Sequence, residues 1–200
     1  MSVRRLRARA LEGTPVEVAP RLLNTLLVVG ERVGRIVEVE AYWGAHDPAS
    51  HAHRGPTPRN SSMFGPAGTL YVYRSYGLHW CANVVLCGPG EAGAVLVRAV
   101  EPLSGVESMW RDRPRVRREV ELTNGPGKLC AALGITGADD GLDLLAATSR
   151  VQLCSDGTAA PAVPVVTTRV GISKAVDHPW RFLVPGSPWV STGRPARAAV

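Results

Sequence analysis

The chain has 200 residues, a formal net charge of +6 and a pI near 9.6. Its longest apolar run, Ala92–Val97, stops at Arg98 and is far too short to span a bilayer. The arginines of Met1–Arg9 lead into no apolar h-region and the four cysteines form no CxxC pair, so a cytoplasmic, reduced protein without membrane contact is expected. Length favours one domain over 1–200, with 1–12 and 193–200 as flexible ends. Lys128 and Lys174 are the only lysines, so nearly all the positive charge is arginine, whose planar fork suits phosphate oxygens. A basic surface fits a polyanion, although an arginine bias also follows from a GC-rich genome.

In chain order, Thr14-Pro15-Val16-Glu17 has the form of a capping box with proline at the first helical position, and Pro20 keeps that helix short. Leu22–Val29 is apolar and runs to a turn at Gly30. Gly34–Tyr42 alternates, with Val37, Val39 and Ala41 on one face and Glu38, Glu40 and Tyr42 on the other, which predicts a strand with one face in the core. Trp43–Gly68 is a long polar loop, a length that is functional or disordered. Thr69–Ser75, His79–Cys87 and Ala94–Val100 read as strands, with a turn at Gly88-Pro89-Gly90. Ser104-Gly105-Val106-Glu107 predicts a second capping box opening a helix, and Arg111–Arg118 a basic exposed stretch. Pro126–Leu133 predicts a helix stopped by Gly134, and Val165–Ile172 and Arg181–Val184 predict strands. Without a regular βαβ rhythm, the expected class is α+β with a mostly antiparallel sheet.

Two residues stand out chemically. Glu40 and Arg98 each sit in an apolar strand, where a charge is costly unless paired. Adjacent strands would satisfy both, and Arg98 would keep Glu40 ionised as a base. Pattern alone favours a structural salt bridge over catalysis. Tyr42, Tyr71, Tyr73 and Tyr76, all the tyrosines of the chain, gather with His51 around the long loop. Flat rings stack on nucleobases, and they also simply pack in a half-buried sheet, which is the reading taken for Tyr71. His46, Asp47, His51 and His53 match no zinc spacing, so no metal or other cofactor is expected. Gly125-Pro126-Gly127-Lys128 opens a helix without being a Walker loop; a phosphate contact and plain capping fit it equally.

These residues, with Val37-Glu38-Val39-Glu40-Ala41-Tyr42, Thr57-Pro58-Arg59-Asn60, Met63-Phe64-Gly65-Pro66, Gly68-Thr69-Leu70-Tyr71-Val72-Tyr73, Tyr76-Gly77, Arg98-Ala99-Val100-Glu101-Pro102, Asn124-Gly125-Pro126-Gly127-Lys128-Leu129-Cys130 and Gly186-Ser187-Pro188-Trp189-Val190-Ser191, resemble the alkyladenine (methylpurine) DNA glycosylase family in order from about Leu22 to Ser191. The resemblance implies a single mixed domain with a curved antiparallel sheet, and a monofunctional, cofactor-free repair enzyme, expected as a monomer, acting on double-stranded DNA that contains a damaged purine. It implies Glu40 as general base, and Arg98 with the main-chain carbonyl of Val170 holding the attacking water. It places Tyr42 and His51 on one side of a flipped base and Tyr73 on the other, Asn83 against guanine's exocyclic amine, and Tyr76 as the wedge. Lys128 and Arg59 are expected at the DNA backbone. Asn24 stands where relatives commonly have glycine, in keeping with asparagine's tolerance of the left-handed conformation. Rival readings are a non-catalytic damaged-DNA binding protein and a metal hydrolase built on the His46–His53 loop.

Overall fold

The two longest strands pair with each other and organise everything else. In the computed structural model, which describes residues 3–86 and 91–193, β3 (Arg32–Tyr42) runs antiparallel to β6 (Gly93–Ser104). Before β3, β2 (Leu26–Val29) closes a hairpin through Gly30, whose φ of 58° suits the left-handed turn. Beyond β6 lie β5 (His79–Leu86) and then β4 (Leu70–Ser75). On the other flank β7 (Val151–Ser155) pairs with β2, and β1 (Arg4–Arg5) pairs with β7. β9 (Arg181–Leu183) adds to β3 beside β2 and carries β8 (Val165–Thr167). Every pairing among the described residues is antiparallel, so the α+β class expected from alternation is the observed one.

Three helices flank the sheet. α1 (Pro15–Leu22) starts at the expected capping box: the Thr14 hydroxyl accepts from Glu17 N–H, and Glu17 Oε2 accepts from Thr14 N–H at 2.9 Å. Its buried Val18, Ala19 and Leu22 form a stripe on the sheet. Each large side chain so buried contributes about 1.5–3 kcal/mol. α3 (Pro126–Leu133) has the predicted bounds, and Gly134 ends it at φ 72°. Asn24 adopts φ 65°, as its residue type allows.

α2 (Val106–Asp112) begins where expected but not by the expected cap. β6 runs on through Ser104, so Gly105 at φ 68° becomes the N-cap and no side chain caps the helix. Other expectations change for equally physical reasons. The segment from Met1 to Glu12, expected to be frayed, is tied down over Arg4–Arg5 by β7, and Leu11 is buried in the core. Arg113, in the stretch expected to be exposed, turns inward to donate to the carbonyls of Glu121 and Leu122. Only Val165–Thr167 of the predicted strand to Ile172 is a strand, because the chain then turns to bury Arg169. No element was predicted at β7, although Val151-Gln152-Leu153 alternates. The turn predicted at Gly88-Pro89-Gly90 and most of the C-terminal tail lie outside the described residues.

The pairing of β3 with β6 is not regular. Ile36 opposes Val100 and Val39 opposes Val97, but Glu38 is registered to Ala99, with shifts on either side of it. Such bulges re-aim side chains and concentrate next to active sites. Here the irregularity falls at Glu38 and Arg98.

One backbone approach is tight enough to test. Gly44 has φ 41°, and a Cβ built there would lie 1.9 Å from the carbonyl oxygen of Ala92. Gly30 is also left-handed but has nothing within 4 Å. Gly30→Ala is expected to cost about 1–2 kcal/mol from its conformation alone. Gly44→Ala should cost clearly more, because the backbone must shift as well. Urea unfolding of the two variants checks this, and equal midpoints would show that the Gly44 contact is soft.

Candidate active site

Residues opposite each other in an antiparallel ladder share a face. Tyr71 opposes Asn83, Asn83 opposes Leu96 and Leu96 opposes Glu40, so one row crosses β4, β5, β6 and β3. Two residues along each strand, Tyr73, Cys81, Arg98 and Glu38 follow on the same face. The opposite face of these strands supplies Leu70, Val72, Ala82, Val84, Val95, Val97 and Val39 to the core. The sheet therefore has an apolar side, covered by the helices, and a side rich in polar and aromatic groups.

On the polar side a charged network is wholly buried. Arg98 Nε donates to Glu38 Oε1 at 2.7 Å, and its Nη1 donates to Glu40 Oε2 at 3.2 Å. Glu38 also accepts from Arg181 Nε and from the Ser191 hydroxyl, each at 2.8 Å. Glu40 is completed by the Tyr42 hydroxyl at 2.9 Å on Oε2 and by the Val170 N–H at 2.7 Å on Oε1. Burial works against the charge of Arg98, but Glu40 and Glu38 outweigh it and hold its pKa above the usual guanidinium value. Burial, and then the charge of Glu40, push the Tyr42 hydroxyl far above its ordinary pKa, so Tyr42 remains a proton donor to the carboxylate.

Above this network opens a cavity of about 610 Å³, lined among others by Tyr42, His51, Tyr71, Tyr73, Asn83, Arg98 and Val170. That volume suits a small planar ligand. Glu40 does not itself line it; the three groups that touch Glu40 do. Val170 meets the carboxylate through its N–H rather than its carbonyl.

The long loop delivers His51. Asn60 holds it together: Oδ1 accepts from the N–H and hydroxyl of Thr57, and Nδ2 donates to the carbonyls of His51 and Gly55. Asp47 accepts from the N–H groups of Trp43 and Ala49. His51 Nδ1 lies 3.0 Å from the Tyr71 hydroxyl, and its ring packs edge-on against Tyr73 with centroids 4.5 Å apart. Tyr71 and Tyr73 stack at 5.5 Å. His51 thus belongs to one aromatic cluster with Tyr71 and Tyr73, rather than facing Tyr73 as the resemblance implied. Tyr71, expected to be mere packing, is buried as expected but also orients His51 and touches the cavity. Asn83 donates through Nδ2 to the Tyr71 carbonyl at 3.0 Å, which fixes it in the cavity wall.

Tyr76 stands in the turn between β4 and β5 at φ 49° and is 88% exposed. Arg59, also exposed, borders the cavity and donates to the Arg74 carbonyl. Lys128 bonds to Asn124 Oδ1 at 2.7 Å beside a second cavity of about 580 Å³ that shares Tyr76 and Arg98 with the first. His46, Asp47, His51 and His53 do not converge: Asp47 pairs with Arg169, and His53 Nδ1 lies 3.0 Å from the Ala45 carbonyl. No group of acidic, histidine and cysteine side chains among the described residues is placed to hold a metal ion.

The sequence profile of methylpurine-DNA glycosylase (MPG) matches residues 9–188. The chain belongs to the methylpurine-DNA glycosylase family. It is therefore a DNA-repair hydrolase acting on N-glycosyl bonds. Relatives named "Putative 3-methyladenine DNA glycosylase" are 52% identical in Burkholderia lata, over 88% of this chain and 85% of the relative, and 50% identical in Rhodococcus jostii, over 90% and 82%. A relative of the same name in Agrobacterium fabrum is 51% identical over 88% and 86%.

In this glycosylase the site contains more than sequence reasoning had selected. Glu38 was legible as the partner of Glu40 on one strand face, yet only the bulge shows that it shares Arg98. Arg181, Ser191 and Arg169 carry no local signal, because their partners lie 122 to 153 residues away. Cys81 and Lys174 enter the cavity wall only through the fold.

Burial, reinforced by the charge of Arg59, lowers the His51 pKa below its ordinary 6.5. The folded protein therefore favours the neutral ring. The stability this contributes is complete above pH 6.5 and is lost as the pH falls through the depressed folded value. The imidazole Cε1 proton of His51 should titrate with a midpoint below 6.5, and a midpoint at or above it would show a solvated ring.

Proposed function

We propose that this glycosylase extrudes a damaged purine of the 3-methyladenine, 7-methylguanine, hypoxanthine and ethenoadenine class from double-stranded DNA and hydrolyses its bond to deoxyribose with a water activated by Glu40. The carrying observation is a buried carboxylate whose three fixed partners all line an aromatic cavity of about 610 Å³, ample for an extruded nucleoside. The names of the bacterial relatives support 3-methyladenine among these substrates. In a bacterial cell this work is done in the cytoplasm, where the DNA is, by a monomer.

The chemistry asks for these parts. The target bond is out of reach inside the stack, so the nucleotide must leave it. Exposed Tyr76 fills the gap as a wedge and offsets part of the unstacking cost. Arg59 and Lys128 hold the backbone. In the cavity the base lies against Tyr42 and the His51–Tyr73 cluster. The hydrogen bond between His51 Nδ1 and the Tyr71 hydroxyl leaves Nε2 as the ring nitrogen available to the base. Asn83 obstructs the exocyclic amine of guanine. As the glycosidic bond lengthens, the sugar becomes oxocarbenium-like. Glu40 stabilises that charge and accepts a proton from the attacking water. The water enters where a contact to Glu40 loosens, held by Arg98 and the Val170 carbonyl; contacts in an empty catalytic site commonly rearrange when substrate arrives.

Glu40→Gln is expected to slow excision of hypoxanthine from a duplex by roughly 10²–10⁴-fold while leaving lesion affinity nearly unchanged. Excision at the wild-type rate would remove Glu40 from the mechanism, and binding without any excision by the protein with native Glu40 would favour a damage-binding role instead.

The product tests the monofunctional part. Lys174 on the wall of this cavity and Lys128 on that of the adjoining one are the side-chain amines that Schiff-base chemistry with strand cleavage could use. The expected product is an intact strand with an abasic site, nicked only by alkali or an added endonuclease. A borohydride-trapped enzyme–DNA adduct that disappears in Lys174→Ala or Lys128→Ala would overturn this.

A further inference from the structure

The mechanism leaves one fully buried ion pair unused. Arg169 and Asp47 are both inaccessible to solvent and form a two-pronged bridge, Nη1 to Oδ2 at 2.5 Å and Nη2 to Oδ1 at 2.9 Å. Arg169 Nη1 also donates to the Ala41 carbonyl at 2.9 Å, and Nε has no hydrogen-bond partner among the described residues. The guanidinium lies over two aromatic rings, with Cζ 4.7 Å from the Tyr42 ring centroid and 5.1 Å from that of Trp180. Tyr42 lines the cavity and Arg169 does not. A cation therefore sits behind the ring against which the proposed base stacks.

A cation on one face of a ring draws π density towards itself and leaves the other face less negative. Across one ring thickness its own charge also opposes a second cation, and in a dry interior little screens it. Asp47, bonded at the edge of the guanidinium, offsets part of that charge. The same pair reaches two other parts of the site: Asp47 organises the start of the loop that carries His51, and Arg169 is the residue before Val170, whose N–H holds Glu40.

Resting on the excision reading above, we propose that the Arg169–Asp47 pair is a positioning and specificity-determining element: the charge balance behind Tyr42 sets how strongly the pocket prefers cationic damaged purines to neutral ones. The pair holds the ring in place, and its positive end keeps the pocket from selecting cations so strongly that neutral lesions are lost.

The test compares binding of two duplexes, one with 7-methylguanine, whose base is cationic, and one with hypoxanthine, whose base is neutral. Affinities are measured in the Glu40→Gln background, so that no chemistry is needed. Asp47→Asn removes the counter-charge and leaves Arg169 uncompensated; the preference for 7-methylguanine should fall roughly two- to fivefold. Asp47→Asn combined with Arg169→Gln removes both charges and keeps amides able to bond; the preference should rise above the starting protein by a similar factor. Arg169→Lys keeps the charge and should stay near the starting preference even if overall affinity drops. A merely structural role would weaken both duplexes alike in every variant. Unchanged ratios, or ratios that move the same way in the single and double variants, would overturn the proposal. Should the double variant fail to fold, the sign of the shift in Asp47→Asn alone decides it. A protein with native Glu40 that is inert on both duplexes would sink the excision reading, while the binding ratios would still answer this one.

Discussion

Everything at the site depends on the guanidinium of Arg98 held between two buried carboxylates. Burying one charge without a partner costs several kcal/mol, and removing one member of a buried pair costs about 3–5 kcal/mol because its partner stays buried. Glu38 and Glu40 project from one face of one strand, so a single cation on the neighbouring strand can serve both. The bulge in that ladder falls at Glu38 and Arg98. The second cation, Arg181, and the Ser191 hydroxyl complete Glu38. Glu40 then takes two neutral donors on the cavity side, Tyr42 and the Val170 N–H. The division makes Glu38 the anchor of the arginine and Glu40 the carboxylate nearest the cavity.

The same logic shapes the chain around the sheet. A loop as long as Trp43–Gly68 would carry many unsatisfied backbone groups if it folded inward alone. Asn60 and Asp47 meet those groups with side-chain bonds, and Arg169 neutralises Asp47 from a segment far along the chain. His51 is thereby placed with little freedom, although no regular element carries it. Tyr76 represents the opposite case. It keeps a left-handed backbone and an exposed ring in a tight turn, a conformation that costs energy in a non-glycine residue and persists only where the surrounding hairpin enforces it.

Much of this was legible before any coordinates. Period-two alternation located β3, β4 and β5, and the cap of α1 and both ends of α3 followed from residue type alone. Glu40, Arg98, Tyr42, His51, Tyr73 and Asn83 were singled out and do border or adjoin one cavity. The N–H of Val170 bonds to Glu40, a contact that no local pattern signals because the two residues lie 130 positions apart. Ser104 was expected to cap α2 and instead ends β6, because pairing with β3 competes for the same residues.

Local rules thus located most of the helices and strands, the residues too polar for their surroundings, and the rings gathered around the long loop. They work because capping, alternation and turn chemistry act within a few residues. Tertiary structure alone decided how the charges are shared. The partners of Glu38 lie 60, 143 and 153 residues away, and Asp47 meets Arg169 across 122. A buried charge constrains only the total of its partners' charges and bonds, and many arginines in this chain would satisfy that sum. Which one does is settled by register, by the bulge in β3 and by the turn that sends Arg169 inward behind Tyr42.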